Sequence, residues 1–272
     1  KEIHKEMLST YQQEIYGDDV DKSKKLINDF TDKDGYLVHY RLLKLYIQLG
    51  IKVKKFNSAI GFDQDYIMKN YILGNTNKRQ KANSDFEKNF YKLLNNACFG
   101  KTMENIFGRS NIKIKLSPQN EKQEKSILKN INSPFYKGST IFHEDLIALH
   151  MSPKEVKLDK PIHMGFSILE LSKLLMFDFY YNVLKKRYND KVKLLMTDTD
   201  SLVFEVETED IYDDIQNGLK EYFDLSNFPK DHPLYDPTNK AVVGKFKKET
   251  GHYQITEFVG IRSKVYSYIT ND

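Results

Sequence analysis

The stretch LLMTDTDSLVFEV, Leu194 to Val206, sets two carboxylates between two apolar runs. KVKLLM before the pair and LVFEV after it both read as strands, so TDTDS reads as the tip of a hairpin. Side chains on a strand repeat every two residues, which places Asp198 and Asp200 on the same side. Carboxylates held together repel each other, and a divalent cation relieves that repulsion. Mg²⁺ prefers a few carboxylates completed by water and substrate phosphates. A surface turn rich in Asp accounts for the same residues without a metal. D-x-D by itself does not decide between the two.

Working outward, the chain has 272 residues, of which 40% are hydrophobic and 29% charged. That composition excludes a disordered chain and supplies a sizeable core. Trp is absent, while Tyr and Phe number 18 and 17. Such rings suit base stacking, though core filling carries most of the weight. A net charge of +4 permits a nucleic-acid partner without demanding one. The single cysteine, Cys98, excludes a disulfide framework and a Cys-based zinc site and suggests a reducing compartment. No apolar run is long enough to span a membrane, so no membrane partner is expected. The polar opening KEIHKEMLSTYQQEIYGDD does not resemble a secretion signal and lacks an initial Met, as expected of a piece of a longer chain.

Charge is unevenly spread. Asp198 to Asp236 holds 12 acidic residues against two basic ones, and Lys78 to Lys101 holds six basic against two acidic. Ordinary solvated faces would give this, and so would an acidic metal lobe facing a basic phosphate-gripping lobe. YLVHYRLLKLYIQLG, residues 36–50, reads as a helix stopped by Gly50. SDFEKNFYKLLNNACFG opens with a capping box, Ser84 and Glu87, shows an apolar face of Phe86, Phe90, Leu93 and Ala97, and finds a stop in Gly100. Residues 109–160 carry a strand-like NIKIKL and loop signals SPQN, NSPF and KGST. SILELSKLLMFDFYYNVLKKRY opens with a second capping box, Ser167 and Glu170, and its all-round apolarity predicts burial beneath a sheet. NFPKDHPLYDPTNK reads as a surface loop, and AVVGKFKKETGHYQITEFVGIRSKVYSYI as further strands. Helices and antiparallel strands are segregated more than alternated, which predicts an α+β fold. The segments expected are 1–76, mostly helical; 77–108, with the basic helix; 109–160, a strand and loop insertion; and 161–272, the acidic hairpin and the strands after it.

The helix over 84–100 supplies the second constellation. Opposite its apolar face run Lys88, Lys92, Asn96 and Phe99. Lys92 can grip a phosphate, and Asn96 and Phe99 can meet a sugar or base one turn on. A solvated face with a satisfied amide fits the same positions, except that it has little use for the phenyl ring of Phe99.

At these residues the chain resembles the family B DNA polymerases. KLLNNACFG is similar to their motif B, K-x-x-x-N-S-x-Y-G: Lys92, Asn96 and Gly100 match, while Ala97 replaces Ser and Phe99 replaces Tyr. LMTDTDS is similar to motif C, Y-x-D-T-D-S, with Met196 at the Tyr position, and IRSKVYSY supplies K-x-Y in Lys264 and Tyr266. The order B, C, K-x-Y is the family's. The phrases HYRLLKLYIQLGIKVKKF, DFEKNFYKLLNNACFGKTMEN and NFPKDHPLYD most resemble the protein-primed branch found in Polinton/Maverick transposons and related viruses.

The resemblance implies a palm of antiparallel sheet with packed helices plus helical fingers, truncated. It implies a DNA-directed nucleotidyltransferase using Mg²⁺, with primer–template DNA and deoxynucleoside triphosphates as partners and a terminal priming protein as a further one. It implies an intracellular place, nuclear or at a viral replication site. Lys92 would bind the incoming triphosphate; Asn96, Phe99 and Gly100 would line the nucleotide pocket, the ring helping to exclude a ribose 2′-OH. Arg79 and Lys81, about one helix back, would add phosphate contacts. Asp200 would be the direct metal ligand and Asp198 its partner. Lys264 and Tyr266 would hold the primer strand. The family's motif A, D-x-x-S-L-Y-P, is not found; STYQQEIYGDD comes nearest and does not fit. The expectation is therefore a fingers-and-palm piece that is inactive by itself, lacking exonuclease and thumb. The alternative is a catalytically dead, nucleic-acid-binding remnant. A D-x-D sugar transferase explains TDTDS but neither of the other motifs.

Overall fold

A computed structural model describes residues 5–8, 10–17, 32–262 and 264–271. Asp18 and Asp19, the acidic pair in the stretch nearest to motif A, lie outside the described residues. The chain divides into two compact units, Lys1–Leu37 with Lys55–Ser58, and Val38–Lys54 with Ala59–Asp272. In the first, a 3-10 turn at Lys5–Met7 precedes helix α1, Thr10–Tyr16. The second holds the other described helices and all the described sheets.

Helix α2 runs Tyr40–Gln48, shorter than the sequence pattern by a few residues at its start. His39 caps it, its Nδ1 accepting from the Arg41 N–H. Gly50, at φ +99°, closes it as expected, since a left-handed residue is where a helix ends. The apolar side of α2, Leu42 and Leu45, is buried. Helices α3, Lys69–Lys81, and α4, Asp85–Thr102, form a hairpin. Next comes a small antiparallel sheet in the order β1-β3-β2, from β1 Asn111–Leu116, β2 Tyr136–His143 and β3 Leu146–Met151, with helix α5, Glu121–Ile131, between β1 and β2. NIKIKL is β1, as read. KGST is not a loop but part of β2, and α5 has a weak signal in the sequence, because five of its eleven residues are charged and its apolar positions are confined to Ile127, Leu128 and Ile131.

The second capping box does not form. Helix α6 begins at Ile162, five residues before Ser167, and runs to Asp178. It continues through a π turn, Phe179–Leu184, into α7, Lys185–Tyr188, whose basic end suits the helix dipole. Glu170, only 2% exposed, accepts from the His39 N–H at 3.2 Å and from Lys173 Nζ at 2.7 Å. It thus holds the start of α2 against α6. Ser167 Oγ is buried with no partner among the described residues. Burial of α6 is also incomplete: Ile162, Ile168, Leu171 and Leu175 are exposed, and the buried stretch lies in the π turn and α7.

There Phe179, Tyr180, Leu184 and Tyr188 join Val192 and Leu219 in a core cluster. Leu202, Phe204 and Val206 pack on it from the hairpin of β4, Val192–Asp198, and β5, Ser201–Val206. This is the predicted helix-beneath-sheet arrangement. After the short helix α8, Ile211–Asp214, a second cluster of Ile215, Leu225, Phe228 and Leu234 forms. The proline-rich segment therefore is not simply a surface loop, since Phe228 and Leu234 anchor it. β6, Phe223–Asp224, pairs in parallel with β7, Phe246–Lys247, and a last hairpin joins β8, Ile255–Arg262, to β9, Val265–Thr270. The expected strands of the tail are thus found at 246–247 and 255–270, with turns between. Helices packed with small, mostly antiparallel sheets make the fold α+β.

The two candidate partners in the failed capping box make opposite predictions. Glu170→Ala strands a buried N–H and is expected to lower unfolding free energy by about 1–3 kcal/mol. Ser167→Ala removes an unsatisfied hydroxyl and should be neutral or slightly stabilising, whereas an N-cap would cost ~1 kcal/mol. Urea denaturation of both variants separates the two.

Candidate functional site

The tip between β4 and β5 is the tightest turn in the acidic stretch. Asp198 pairs with Ser201 across the strands, leaving only Thr199 and Asp200 to connect them. Thr199 has φ +54°, and the Asp200 N–H bonds back to the Asp198 carbonyl at 2.6 Å. A left-handed residue breaks the alternation of a strand, so the period-two argument for Asp198 and Asp200 does not carry across the tip. The two carboxylates share the tip for a different reason: Asp198 ends the strand and Asp200 lies in the turn itself. Lower down, a bulge between Leu194 and Met196 shifts the register of β4, a device that sharpens twist near a strand end.

The two carboxylates are unequal. Asp198 Oδ2 takes Lys264 Nζ at 2.5 Å, and Asp198 Oδ1 accepts from Thr199 Oγ1 at 3.1 Å. These bonds, first that of Lys264 and then that of Thr199, hold the Asp198 carboxyl below its ordinary value. Asp200 is exposed, and among the described residues no group bonds to its carboxylate. Lys264 stands in the link between β8 and β9, at φ +66°. Tyr266, on β9 opposite Gly260, is 44% exposed and stacks on Phe258 at 6.0 Å. It is therefore not a core ring. The pairing of Asp198 with Lys264 could not be read from the sequence, because 66 residues separate them.

The oxygens at this tip suit a hard divalent cation. Asp198 already carries a positive group, and Asp200 has a carboxylate to offer. Two carboxylates that converged on one ion would supply part of the oxygen shell that a hard divalent cation completes with water. A group of His143, Glu144 and Asp145 at the turn from β2 to β3 also brings donor atoms within 4.8 Å, but all three are exposed and belong to the separate sheet.

The basic site is on the helical hairpin. Ser84 Oγ caps α4 by accepting from the Glu87 N–H at 3.2 Å, while Glu87 accepts from Asn83, one residue before the expected partner. Gly100 does not stop the helix, which runs on to Thr102. The face of α4 turned inward is also not the expected one. Phe86 and Leu93 are 79% and 62% exposed, while Tyr91, Leu94, Asn95 and Cys98 are partly buried. The reason is polar: Asn95 Oδ1 accepts from buried Asn75 at 2.9 Å, and Asn95 Nδ2 lies within reach of Ile72 O and Thr76 Oγ1 on α3. Amides, not the phenyl rings, set how α4 rests on α3.

That rotation leaves Lys92 and Asn96 exposed, with Phe99 partly buried below them. Gly100 is exposed too, with open space where a side chain would stand. Lys88 is tied to Asp85 at 3.0 Å, whereas no ion pair engages Lys92 among the described residues. Arg79 and Lys81 sit in the last turn of α3, next to the turn into α4. The structure thus brings Lys92, Asn96 and Phe99 onto one edge, and Asp198, Asp200 and Lys264 to one pair of tips.

A family described as DNA polymerase type B, organellar and viral, matches residues 11–186, more than half of the chain. The span contains both helices of the hairpin and ends before β4. No curated protein and no solved structure matches the chain.

The bond from Lys264 sets a titration test. The Asp198 carboxyl should titrate below the ordinary aspartate range, and Lys264→Met should bring it back up. Carboxyl-carbon NMR across acid pH checks both; an unchanged Asp198 midpoint in the variant would remove the ion pair from solution.

Proposed function

The chain belongs to the type B DNA polymerases of organelles and viruses, and from that premise we propose that it carries the nucleotide-binding helix and part of the metal-binding site of a template-directed DNA polymerase. The observation that carries this is the exposed edge of α4 within the matched span, where Lys92 and Asn96 are left unengaged by the packing against α3. Lys92 binds the triphosphate of the incoming nucleotide as a point charge. Asn96 and Phe99 meet its sugar or base, with Gly100 allowing close approach, and Arg79 and Lys81 add phosphate contacts. Asp200, with Asp198, would hold Mg²⁺, and a cation there would supply positive charge against the negative charge developing on the phosphates during in-line attack by the primer hydroxyl. Lys264 and Tyr266 hold the primer strand near its end. The phrases around the motifs support the finer reading of a protein-primed enzyme that replicates a mobile element or virus, with a terminal protein as partner.

Nucleotide and DNA contacts are separable in this reading. Lys92→Ala should weaken binding of a fluorescent deoxynucleoside triphosphate while leaving the Kd for a primer–template duplex within about twofold. Such a small change is what the loss of a charge pointing away from the duplex would leave. Duplex binding itself should lack sequence preference and fall with salt by ~0.9 in log K per log salt for each phosphate contacted. With a saturating divalent cation present, Lys264→Ala should shrink that slope by about one contact, and Tyr266→Phe, which removes no charge, should leave it alone. Weakened duplex binding with unchanged nucleotide binding in Lys92→Ala would move that lysine to the other partner. An undiminished slope in Lys264→Ala would remove it from the DNA.

A further inference from the structure

The tips of two hairpins distant in sequence meet through one ion pair. Lys264 Nζ lies 2.5 Å from Asp198 Oδ2, and it is the one charged partner of that carboxylate among the described residues. Both tips hold a non-glycine residue in the left-handed region, Thr199 at φ +54° and Lys264 at φ +66°. In a two-residue hairpin link the tight turn itself asks for that backbone. Lys264 is 71% exposed at its side chain, so the ion pair with Asp198, not burial, fixes where its ammonium sits.

A lysine so placed has a conflict of duties. The primer strand offers it phosphates and Asp198 offers it a carboxylate, and the two compete for the three N–H donors of one ammonium. A divalent cation at Asp198 would meet the same ammonium as a like charge. We propose, building on the reading of Asp198 and Asp200 as metal ligands, that Lys264 is a positioning residue that occupies the cation's place on Asp198 and gives it up when metal binds, turning to the phosphates of the primer strand. One positive charge replaces another, so Asp198 is never an unpaired carboxylate next to Asp200. Metal and DNA then help each other: metal frees the lysine for phosphate, and phosphate withdraws the lysine from the metal's ligand. Coupling of this kind is reciprocal, each ligand raising the affinity of the other by the same factor.

Mn²⁺ binding to the 272-residue chain, read by electron paramagnetic resonance, tests the exchange without any turnover. Lys264→Met should bind Mn²⁺ about two- to fivefold more tightly than the parent, the range expected on removing an exposed ion pair. Lys264→Arg should restore the parent affinity, because it restores the competing charge. A primer–template duplex should tighten Mn²⁺ binding by the parent chain and not by Lys264→Met, with Asp198→Asn measured alongside to subtract ions carried by the DNA. Circular dichroism checks that each variant is folded, and Lys264→Gln serves in place of Met if that variant is not. Equal affinity in parent and Lys264→Met would make the lysine a bystander and overturn the exchange alone. Weaker binding in Lys264→Met would overturn it too, by making the lysine a support for the bound metal. Unchanged binding in both Asp198→Asn and Asp200→Asn would overturn the metal site itself, and the exchange with it.

Discussion

The packing of Phe179, Leu184 and Tyr188 against Val192 of β4 and the apolar side of β5 is what gives Asp198 and Asp200 a fixed place. Leu184 and Val192 are fully buried, and Phe179 nearly so. Leu202, Phe204 and Val206 rest on them from the strand that returns from the tip. A two-stranded hairpin alone is marginal in water, and it needs such a surface beneath it to hold a register. The π turn at Phe179–Leu184 belongs to this foundation, since it carries the helix from a half-exposed stretch into a buried one. Losing a large side chain here would cost more than stability. It would let the strands slide, and a slip of one residue changes which side chains stand at the tip.

The basic edge is built on a different principle. Helix α4 has no fully buried residue, and its bonds to α3 run through Asn95, Asn75 and Thr76. Amide contacts fix the rotation of a helix about its axis more sharply than a row of phenyl rings does, because a hydrogen bond fails over a few tenths of an ångström. They contribute little to holding the helices together, each being worth ~1 kcal/mol net. A helix pair joined this way belongs to the low-stability end of a structure, from which moving parts are drawn. The rotation has a direct consequence for chemistry: it turns Asn95 inward and leaves its neighbour Asn96 out.

Much of this was legible in the sequence where hydrophobic pattern and turn chemistry agreed. The hairpin around TDTDS, the helix ending at Gly50 and the strand NIKIKL were all readable for that reason. What was not legible followed from partners far away in sequence. Ser167 and Glu170 have the spacing of a capping box, yet the helix already begins at Ile162, and His39 claims the glutamate. Helix α3 contains Gly74 and the run Asn75-Thr76-Asn77, poor helix formers, and α4 supports it by accepting from the buried Asn75 amide. The inward face of α4 is not its most hydrophobic one, because polar bonds to α3 decide which side is buried.

The acidic stretch shows how a bland explanation and a specific one can both hold. Several of its carboxylates have structural duties. Asp210 caps α8, Asp214 binds Arg187 at 2.5 Å and Tyr188, and Asp236 binds Lys220 at 2.9 Å. Asp224, nearly buried, accepts from the N–H groups of Ser226 and Ala241. These account for much of the negative charge without any metal, so charge density by itself says little about a cation site. The tip differs in kind. Asp198 is matched by a cation from another hairpin and Asp200, two residues on, is matched by none among the described residues. A carboxylate that the fold leaves unpartnered next to one that it neutralises gives an added cation one open ligand and one that it must compete for. The second carboxylate supplies an open ligand, and the first needs only to exchange one positive charge for another.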